Sequence, residues 1–511
     1  MAPYPRSVSG TDDYGPARAA FEAFLTRLGD PRADERPAHL VEQFVLDEGP
    51  DVLRQVLQDH FDARAAAEPR LSEVAGADRV VRRRAEPGHT RGLGTVLGRV
   101  EVSRIAYRAP GVSNLHPADA RLALPATLYS YPLCRHVVHE AATGGLRDAR
   151  AALHRFTGQK IGTRQLMQIT VEAARDVRDF YQQHQAAPRP PQRGPGGLPA
   201  GEDLLVLSID ATGVNMIDSA LRGPVPARPA GPHPPSAQLA SRERAGRTRM
   251  AVVTALYDCP PAVRGPADIL PATGAERAAR RPGPKARNRE LNASIEDSTT
   301  PMTTRLFDRA QQRDPGHRRR WIVLVDGNNH QLDRVQAEAD ARGVDIDIIV
   351  DFIHVLEYVW RAAEDLHPTQ PGRAGFVAHT ARRLLEGHAP QVIIDLTTHL
   401  DTLTQAGTAA PGLERAIAYL TAKQPYLDYH IALTLGWPIA TGVIEGACRS
   451  LVKDRLAITG ARWSLPGAEA VLLMRAVIIN GDFPAYWQYH LQQEHQRNHN
   501  SLYQDQYDLA A

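Results

Sequence analysis

Apolar positions follow a helical period at the start of the chain. Phe21, Phe24 and Leu28 recur every three to four residues, and Leu53, Val56, Leu57 and Phe61 do so after a Gly49-Pro50 break, which predicts separate helices over 17–67. Near residue 90 the period shortens. Val96, Gly98, Val100, Val102, Arg104, Ala106 and Arg108 predict a β-hairpin. The nearby Gly92, Gly94 and Gly98 have the wrong spacing for a dinucleotide-binding turn, and no helix follows them. From Leu146 the helical period returns, with Leu146, Ala149, Leu153 and Phe156 on one face and a turn at Thr157-Gly158-Gln159-Lys160. Thr163 then stands as N-cap of a second helix that turns Leu166, Ile169 and Ala173 inward. This spacing fits a helix-turn-helix and equally an ordinary helical hairpin. In the first case Arg164, Gln165 and Gln168 face the major groove.

Pro188 to Gly201 holds nine Pro and Gly residues among fourteen, which marks a linker. Beyond it the pattern changes to continuous apolar runs. Leu204–Ile209, Met250–Tyr257 and Trp321–Val325 read as buried strands, and Val344–Val350 as another. Helices from about Gln331 to Arg342 and from Phe352 to Leu366 alternate with them, predicting an α/β domain whose mixed sheet is flanked by helices. From Pro368 to Gly436 helical periods alone remain, which reads as an insertion. Thr441–Lys453 and Gly467–Asn480 predict two further helices, and His490–Ala511 reads as a polar, solvated tail. His495 and His499, four apart, lack the further ligands of a metal site.

Composition narrows the functional classes. A chain of 511 residues predicts about three or four folding units. Mean hydropathy is −0.35, no apolar run is long enough to span a bilayer, and Met1–Gly10 lacks a signal-peptide core, so a cytoplasmic protein without a membrane partner is expected. Cys134, Cys259 and Cys448 are too far apart for a local disulfide or zinc motif. Sixty Lys and Arg against 58 Asp and Glu leave a net charge of only +2. Basic residues nevertheless cluster, at Arg79 with Arg82–Arg84, from Arg277 to Arg289, and at Arg318–Arg320. Lys160, Lys285, Lys423 and Lys453 are the only lysines. Arginine suits phosphate recognition, although a GC-rich genome produces the same skew.

Asp210 and Asp326 each close an apolar run and precede small-residue turns, Ala211-Thr212-Gly213 and Gly327-Asn328-Asn329. On neighbouring parallel strands both carboxylates emerge at the edge where such sheets bind ligands. There they call for a hard divalent cation, magnesium or manganese, and so for phosphodiester chemistry. Alternatively, each aspartate caps its own turn. Glu445, the only acid between Asp428 and Asp454, reads as a partly buried third ligand or as an i,i+4 partner of Arg449.

The strings Ser208-Ile209-Asp210-Ala211-Thr212-Gly213-Val214, Val325-Asp326-Gly327, Asp351-Phe352-Ile353-His354-Val355-Leu356-Glu357-Tyr358 and Gly442-Val443-Ile444-Glu445-Gly446-Ala447-Cys448-Arg449 resemble bacterial insertion-sequence transposases of the ISKra type. Gly460-Ala461-Arg462-Trp463 and the stretch from Gly481-Asp482-Phe483 to Tyr486-Trp487 extend the likeness, which runs from about Leu93 onward. The resemblance implies a ribonuclease H-like catalytic domain with a helical insertion before the glutamate, and a triad of Asp210, Asp326 and Glu445 holding Mg2+ or Mn2+. It also singles out Asp351 and His354 near the active site, where the other reading is an N-cap aspartate and a core histidine. The Pro-rich loop from Arg222 to Pro235 and the stretch from Arg277 to Arg289 are less family-like and read as disordered or DNA-contacting. Arg449, Lys453 and Arg455 are candidate DNA contacts, Lys453 being equally readable as part of a solvated face.

On this reading 1–75 is an N-terminal helical region, 76–185 a β-hairpin plus helix-turn-helix that binds DNA, and 186–201 the linker. The catalytic domain spans 202–367 and 437–488 around the insertion 368–436, and 489–511 is the tail. The expected function is a transposase that binds element ends, cleaves there and joins 3′-hydroxyls to target DNA. It acts as a dimer or higher oligomer on double-stranded DNA associated with the nucleoid. A ribonuclease H-like nuclease and a domesticated, non-catalytic DNA-binding protein are the alternatives.

Overall fold

The structure, a computed structural model, describes residues 13–30, 36–183, 203–221 and 247–504. The Pro/Gly-rich linker and the Pro-rich loop from Arg222 to Pro235 lie outside these residues. The chain divides into two compact units, Met1–Asp176 with Asp482–Ala511, and Val177–Gly481. No helix among the described residues is long and apolar enough to cross a membrane.

The first unit opens with α1 (Gly15–Leu28) and α2 (Ala38–Ala66). Contrary to expectation, α2 runs through Gly49 and Pro50 without a break. An internal proline costs a helix about 3 kcal/mol, and contacts on both sides of it offset that cost. Before it, Phe44 stacks on Phe24 with centroids 5.6 Å apart. After it, the Gln58 amide exchanges two hydrogen bonds with the backbone of Glu101, at 3.0 and 2.8 Å. Glu101 lies on β2 (Gly98–Arg108), which pairs antiparallel with β1 (Arg84–Thr95) as the expected hairpin.

After one short helical turn at Pro117–Arg121 come three longer helices, α3 (Tyr131–Thr143), α4 (Leu146–Thr157) and α5 (Thr163–Ala173), around buried Leu133, Val137, Leu153, Leu166 and Ile169. Gly158 ends α4 at φ +66°, a conformation that glycine adopts without penalty. The N-cap of α5 is Gly162 and not Thr163. Phe156, expected on the inner face of α4, is 78% exposed. The expected solvated tail is instead a helix, Phe483–Asn498, that belongs to this unit. His490 is buried with its Nδ1 2.7 Å from Asp176 Oδ2, and buried His499 bonds the Leu124 carbonyl through Nε2 at 2.9 Å.

The second unit is an α/β domain on a five-stranded mixed sheet. Its strands are β3 (Leu204–Asn215), β4 (Thr248–Cys259), β5 (Arg287–Ser294), β6 (Trp321–Val325) and β7 (Ile346–Val350), in the order β5-β4-β3-β6-β7. β4 is antiparallel to β3 and β5, whereas β3, β6 and β7 run parallel. All five residues of β6 are buried, as a central strand covered on both faces requires. β5 begins only at the end of the stretch from Arg277 to Arg289 expected to be disordered or to contact DNA, sharing Arg287, Asn288 and Arg289 with it. Its Glu290 is paired by Arg309 and Arg313 of α7 (Thr299–Arg313), which follows the short helix α6 (Pro266–Ile269), and this pairing explains how so polar a segment joins the sheet. In the Arg318–Arg320 cluster, Arg319 is turned inward and pairs with Asp258, whereas Arg318 and Arg320 are exposed, Arg320 pairing with Asp347.

The helices α8 (Asn329–Arg342) and α9 (Phe352–Leu366) follow β6 and β7. The inserted helices α10 (Gln370–Leu385), α11 (Ala389–Gln405), α12 (Pro411–Lys423) and α13 (Tyr429–Thr434) come next. Finally α14 (Gly442–Ala447) continues into a π-helical segment, Cys448–Lys453, and α15 (Leu465–Ile479) completes the unit.

Candidate active site

Asp210 and Asp326 come from adjacent parallel strands. The register of β3 on β6 ends at Ser208 against Leu324, a separation of 116 residues, and the same separation divides Asp210 from Asp326. Each aspartate thus lies two residues past the last paired residues of these neighbouring strands, Asp210 within β3 and Asp326 just beyond the end of β6. Both are half-buried. Ala211-Thr212-Gly213 is not a turn, because β3 continues to Asn215 in antiparallel pairing with β4; only its pairing with β6 stops. Past Asp326 the turn is real. Gly327 has φ +89°, Asn328 caps α8 through its side chain, and the Asn328 N–H donates to Asp326 Oδ1 at 2.9 Å.

Helix α12 of the insertion grips this turn, a contact that sequence reading missed. The Tyr419 hydroxyl donates to the Asp326 carbonyl at 2.8 Å, and one helical turn on, the Lys423 ammonium donates to the Asn329 side-chain oxygen. Tyr419 stacks on Tyr358 of α9 with centroids 3.8 Å apart and planes 9° from parallel. His354 meets both rings edge-on. It is therefore neither a core histidine nor a partner of Asp351, but one wall of an aromatic cluster leading to the Asp326 turn. Burial pushes the Tyr419 hydroxyl well above its usual range, with the Tyr358 hydroxyl and Asp326 adding to the effect, so it stays a donor.

Asp351 is buried and caps α9, accepting from the Ile353 N–H at 3.1 Å. Its other oxygen accepts from the Thr441 hydroxyl at 2.7 Å, tying the end of β7 to the start of α14. Glu445 is exposed, with Oε1 3.5 Å from that hydroxyl. The partly buried carboxylate expected there is not found, nor is an ion pair with Arg449, which lies 3.6 Å from Asp454 instead. The residue of this segment that touches Asp210 is Cys448, whose buried thiol donates to Asp210 Oδ2 at 3.4 Å. Burial, and then the Asp210 charge, raise the thiol far above its usual range, so it is a neutral donor and no nucleophile. π-Helical turns occur often at functional sites, and this one begins at Cys448.

Among the described residues no group of three or more His, Cys, Asp and Glu side chains is arranged to hold a metal ion. The donors nearest to that role are the carboxylates of Asp210 and Asp326, which come from neighbouring parallel strands. Their oxygens suit magnesium or manganese, which take few protein ligands and complete their shells with water and phosphate.

The candidate DNA contacts divide. Arg164, Gln165 and Gln168 are exposed near the N-terminus of α5, as a recognition helix requires. Gln165 accepts from the Tyr129 hydroxyl at 3.0 Å, and Gln168 bonds Glu172. Arg449 and Lys453 are exposed. Arg455 is a correction: it is 3% exposed, its guanidinium lies 4.8 Å from the Trp463 ring centroid, and burial lowers its pKa to about 10. Arg82, from the first basic cluster, is also buried, in an ion pair with Asp78 at 2.8 Å. Neither arginine is available to a phosphate. No protein-family model and no curated protein matches the chain.

Proposed function

We propose that the protein is a DNA transposase with a ribonuclease H-like catalytic domain, in which Asp210 and Asp326 hold magnesium or manganese ions and Glu445 is the third ligand that the resemblance implies. The observation that carries this reading is that Asp210 and Asp326 each lie two residues past the last paired residues, Ser208 and Leu324, of neighbouring parallel strands, by the carboxyl end of β6, the end of the strand where α/β sheets bind ligands. A mixed sheet flanked by helices, with α10–α13 between the last strand and the helix of Glu445, supports the fold and insertion that the resemblance implies. The helices α3–α5, with Arg164, Gln165 and Gln168 exposed, support binding of double-stranded element ends.

Each residue then has a task. Backbone N–H groups of Ala211 and Asn328 donate to one oxygen each of Asp210 and Asp326, which orients the carboxylates before a cation arrives. The Cys448 thiol steadies the second Asp210 oxygen, and the Asp351–Thr441 bond anchors the helix that carries Glu445. Arg449 and Lys453, exposed on the following segment, contact phosphates near the cut. His354 borders the site through Tyr419. When bound, the ions activate water or a 3′-hydroxyl and stabilise the leaving oxygen. The working assembly is a dimer or higher oligomer on DNA, in the cytoplasm at the nucleoid.

The test is an in vitro reaction with Mg2+, the purified chain, a duplex carrying the DNA that flanks its gene, and a target plasmid. Products in which the 3′ end of the flank is joined to the plasmid support the reading. Cleavage without joining would assign a nuclease, and binding with neither would assign a non-catalytic DNA-binding protein.

A further inference from the structure

We infer that Tyr419, on the helical insertion, is a positioning residue for Asp326, so that the insertion helps set the affinity of the site for a divalent cation. This rests on the reading of Asp326 as a metal ligand.

The turn after Asp326 has little to hold it locally. The Asn328 N–H bonds the Asp326 side chain and the His330 N–H bonds the Asn328 side chain, but Gly327 between them, at φ +89°, carries no side chain to hold its backbone. Rotation about Gly327 would swing the Asp326 carboxylate relative to Asp210. What opposes it comes from 93 residues away: the Tyr419 hydroxyl on the Asp326 carbonyl. That hydroxyl is itself fixed, because the Tyr419 ring is stacked on Tyr358, which is flanked in turn by His354 and by the Arg361 guanidinium 5.1 Å from its centroid. The fit at the turn is close enough that a Cβ on Gly327 would come within 2.5 Å of the hydroxyl oxygen.

The same helix holds the far end of the turn. Lys423 is one of four lysines in an arginine-rich chain and is only 4% exposed. A buried ammonium is costly unless its protons are taken up, and here the Asn329 side-chain oxygen takes one. Burial lowers the Lys423 pKa, and Asp326, ahead of Asp333, acts to raise it. Thus Tyr419 and Lys423, four residues apart on one face of α12, clasp Asp326 and Asn329 at the two ends of one turn.

The experiment titrates Mn2+ into the full-length chain by calorimetry, comparing wild type, Asp326→Asn, Tyr419→Phe and Tyr358→Phe. Phenylalanine in place of Tyr419 keeps the stack and removes the hydrogen bond. The Mn2+ Kd of that variant is expected to rise roughly five- to tenfold, the equivalent of one lost hydrogen bond, while Tyr358→Phe, on the other ring of the stack, stays at the wild-type value. In cleavage assays the half-saturating Mg2+ concentration for Tyr419→Phe should rise by the same factor, with the rate at saturating metal within about twofold of wild type. Wild-type Kd for Tyr419→Phe, alongside weakened binding by Asp326→Asn, would overturn this inference alone. If Asp326→Asn binds Mn2+ as wild type does, the underlying metal reading falls, and the inference with it.

Discussion

Replacing Gly327 with alanine should cost the second unit about 2 kcal/mol, and half of that cost should disappear in a Tyr419→Phe background. Gly327 has φ +89°, and an L-residue in the left-handed region costs about 1–2 kcal/mol. The less flexible unfolded chain returns part of this, about 0.4–1 kcal/mol. The new Cβ would lie 2.5 Å from the Tyr419 hydroxyl oxygen and 3.2 Å from Cζ. Held by its stack on Tyr358, the ring can relieve that overlap only by giving up its bond to the Asp326 carbonyl, worth about 1 kcal/mol. The three contributions leave about 2 kcal/mol, or roughly 4–8 °C in Tm for a large domain. In the Tyr419→Phe background both the closest overlap and the bond are gone, so a coupling of about 1 kcal/mol is expected between the two changes. Thermal unfolding followed by tryptophan fluorescence suits the measurement, since four of the five tryptophans, Trp321, Trp360, Trp437 and Trp463, lie in this unit. The reasoning would be refuted by a Gly327→Ala variant as stable as wild type, or by a stability loss just as large in the Tyr419→Phe background as in the wild-type one.

Three further outcomes are expected. Burial pushes the Asp176 carboxyl up, but hydrogen bonds from His490 and Arg497 outweigh it and hold the pKa at about 2, against 3.8 for an ordinary aspartate. The stabilisation is complete above the unfolded value and is lost as pH falls toward 2. Wild type should therefore lose about 2 kcal/mol between pH 4 and 2 that Asp176→Asn does not lose, and parallel acid titrations would show the pairing to be inert. Arg164→Ala should weaken binding to element ends roughly tenfold in mobility-shift titrations, as for one base or phosphate contact, and an unchanged Kd would remove it from the interface. Arg455→Ala should leave that Kd within about twofold while lowering thermal stability, because its guanidinium packs on Trp463; the reverse pattern would restore it as a DNA contact.

How much of this was legible in the sequence depends on how local the signal is. β6 and the turn after Asp326 are written in consecutive residues, an apolar run and then Gly327-Asn328-Asn329, and helix α9 occupies the expected span from Phe352 to Leu366. β5 is not legible in this way: its exposed and charged residues mask the alternation, and its Glu290 is satisfied only by arginines 19 and 23 residues further on. The continuity of α2 through Pro50 depends on Phe44 and Gln58 meeting distant partners. Arg455 could have been assigned correctly, since Ile444, Ala447, Cys448, Leu451 and Val452 are buried at helical spacing and Arg455 continues their period. The pairing of Asp210 with Asp326 required neighbouring parallel strands, a condition that β3 and β6 meet. Tyr419 and Lys423 had no local signal, because their partners lie 93 and 94 residues away and no periodicity encodes such a pairing.

The central claim is that Asp210 and Asp326 hold the cations that cleave DNA, and one comparison tests it most directly. Wild type and Asp326→Asn are assayed on the same labelled end duplex, by mobility shift without metal and by strand cleavage with Mg2+. Asparagine keeps the size and one oxygen of the side chain and removes the charge. Both proteins are expected to bind the duplex with Kd values within about twofold of each other, and only wild type is expected to cut it, with the variant slowed at least a hundredfold, on the order of 3 kcal/mol in the barrier. Cleavage by Asp326→Asn at the wild-type rate would contradict the account.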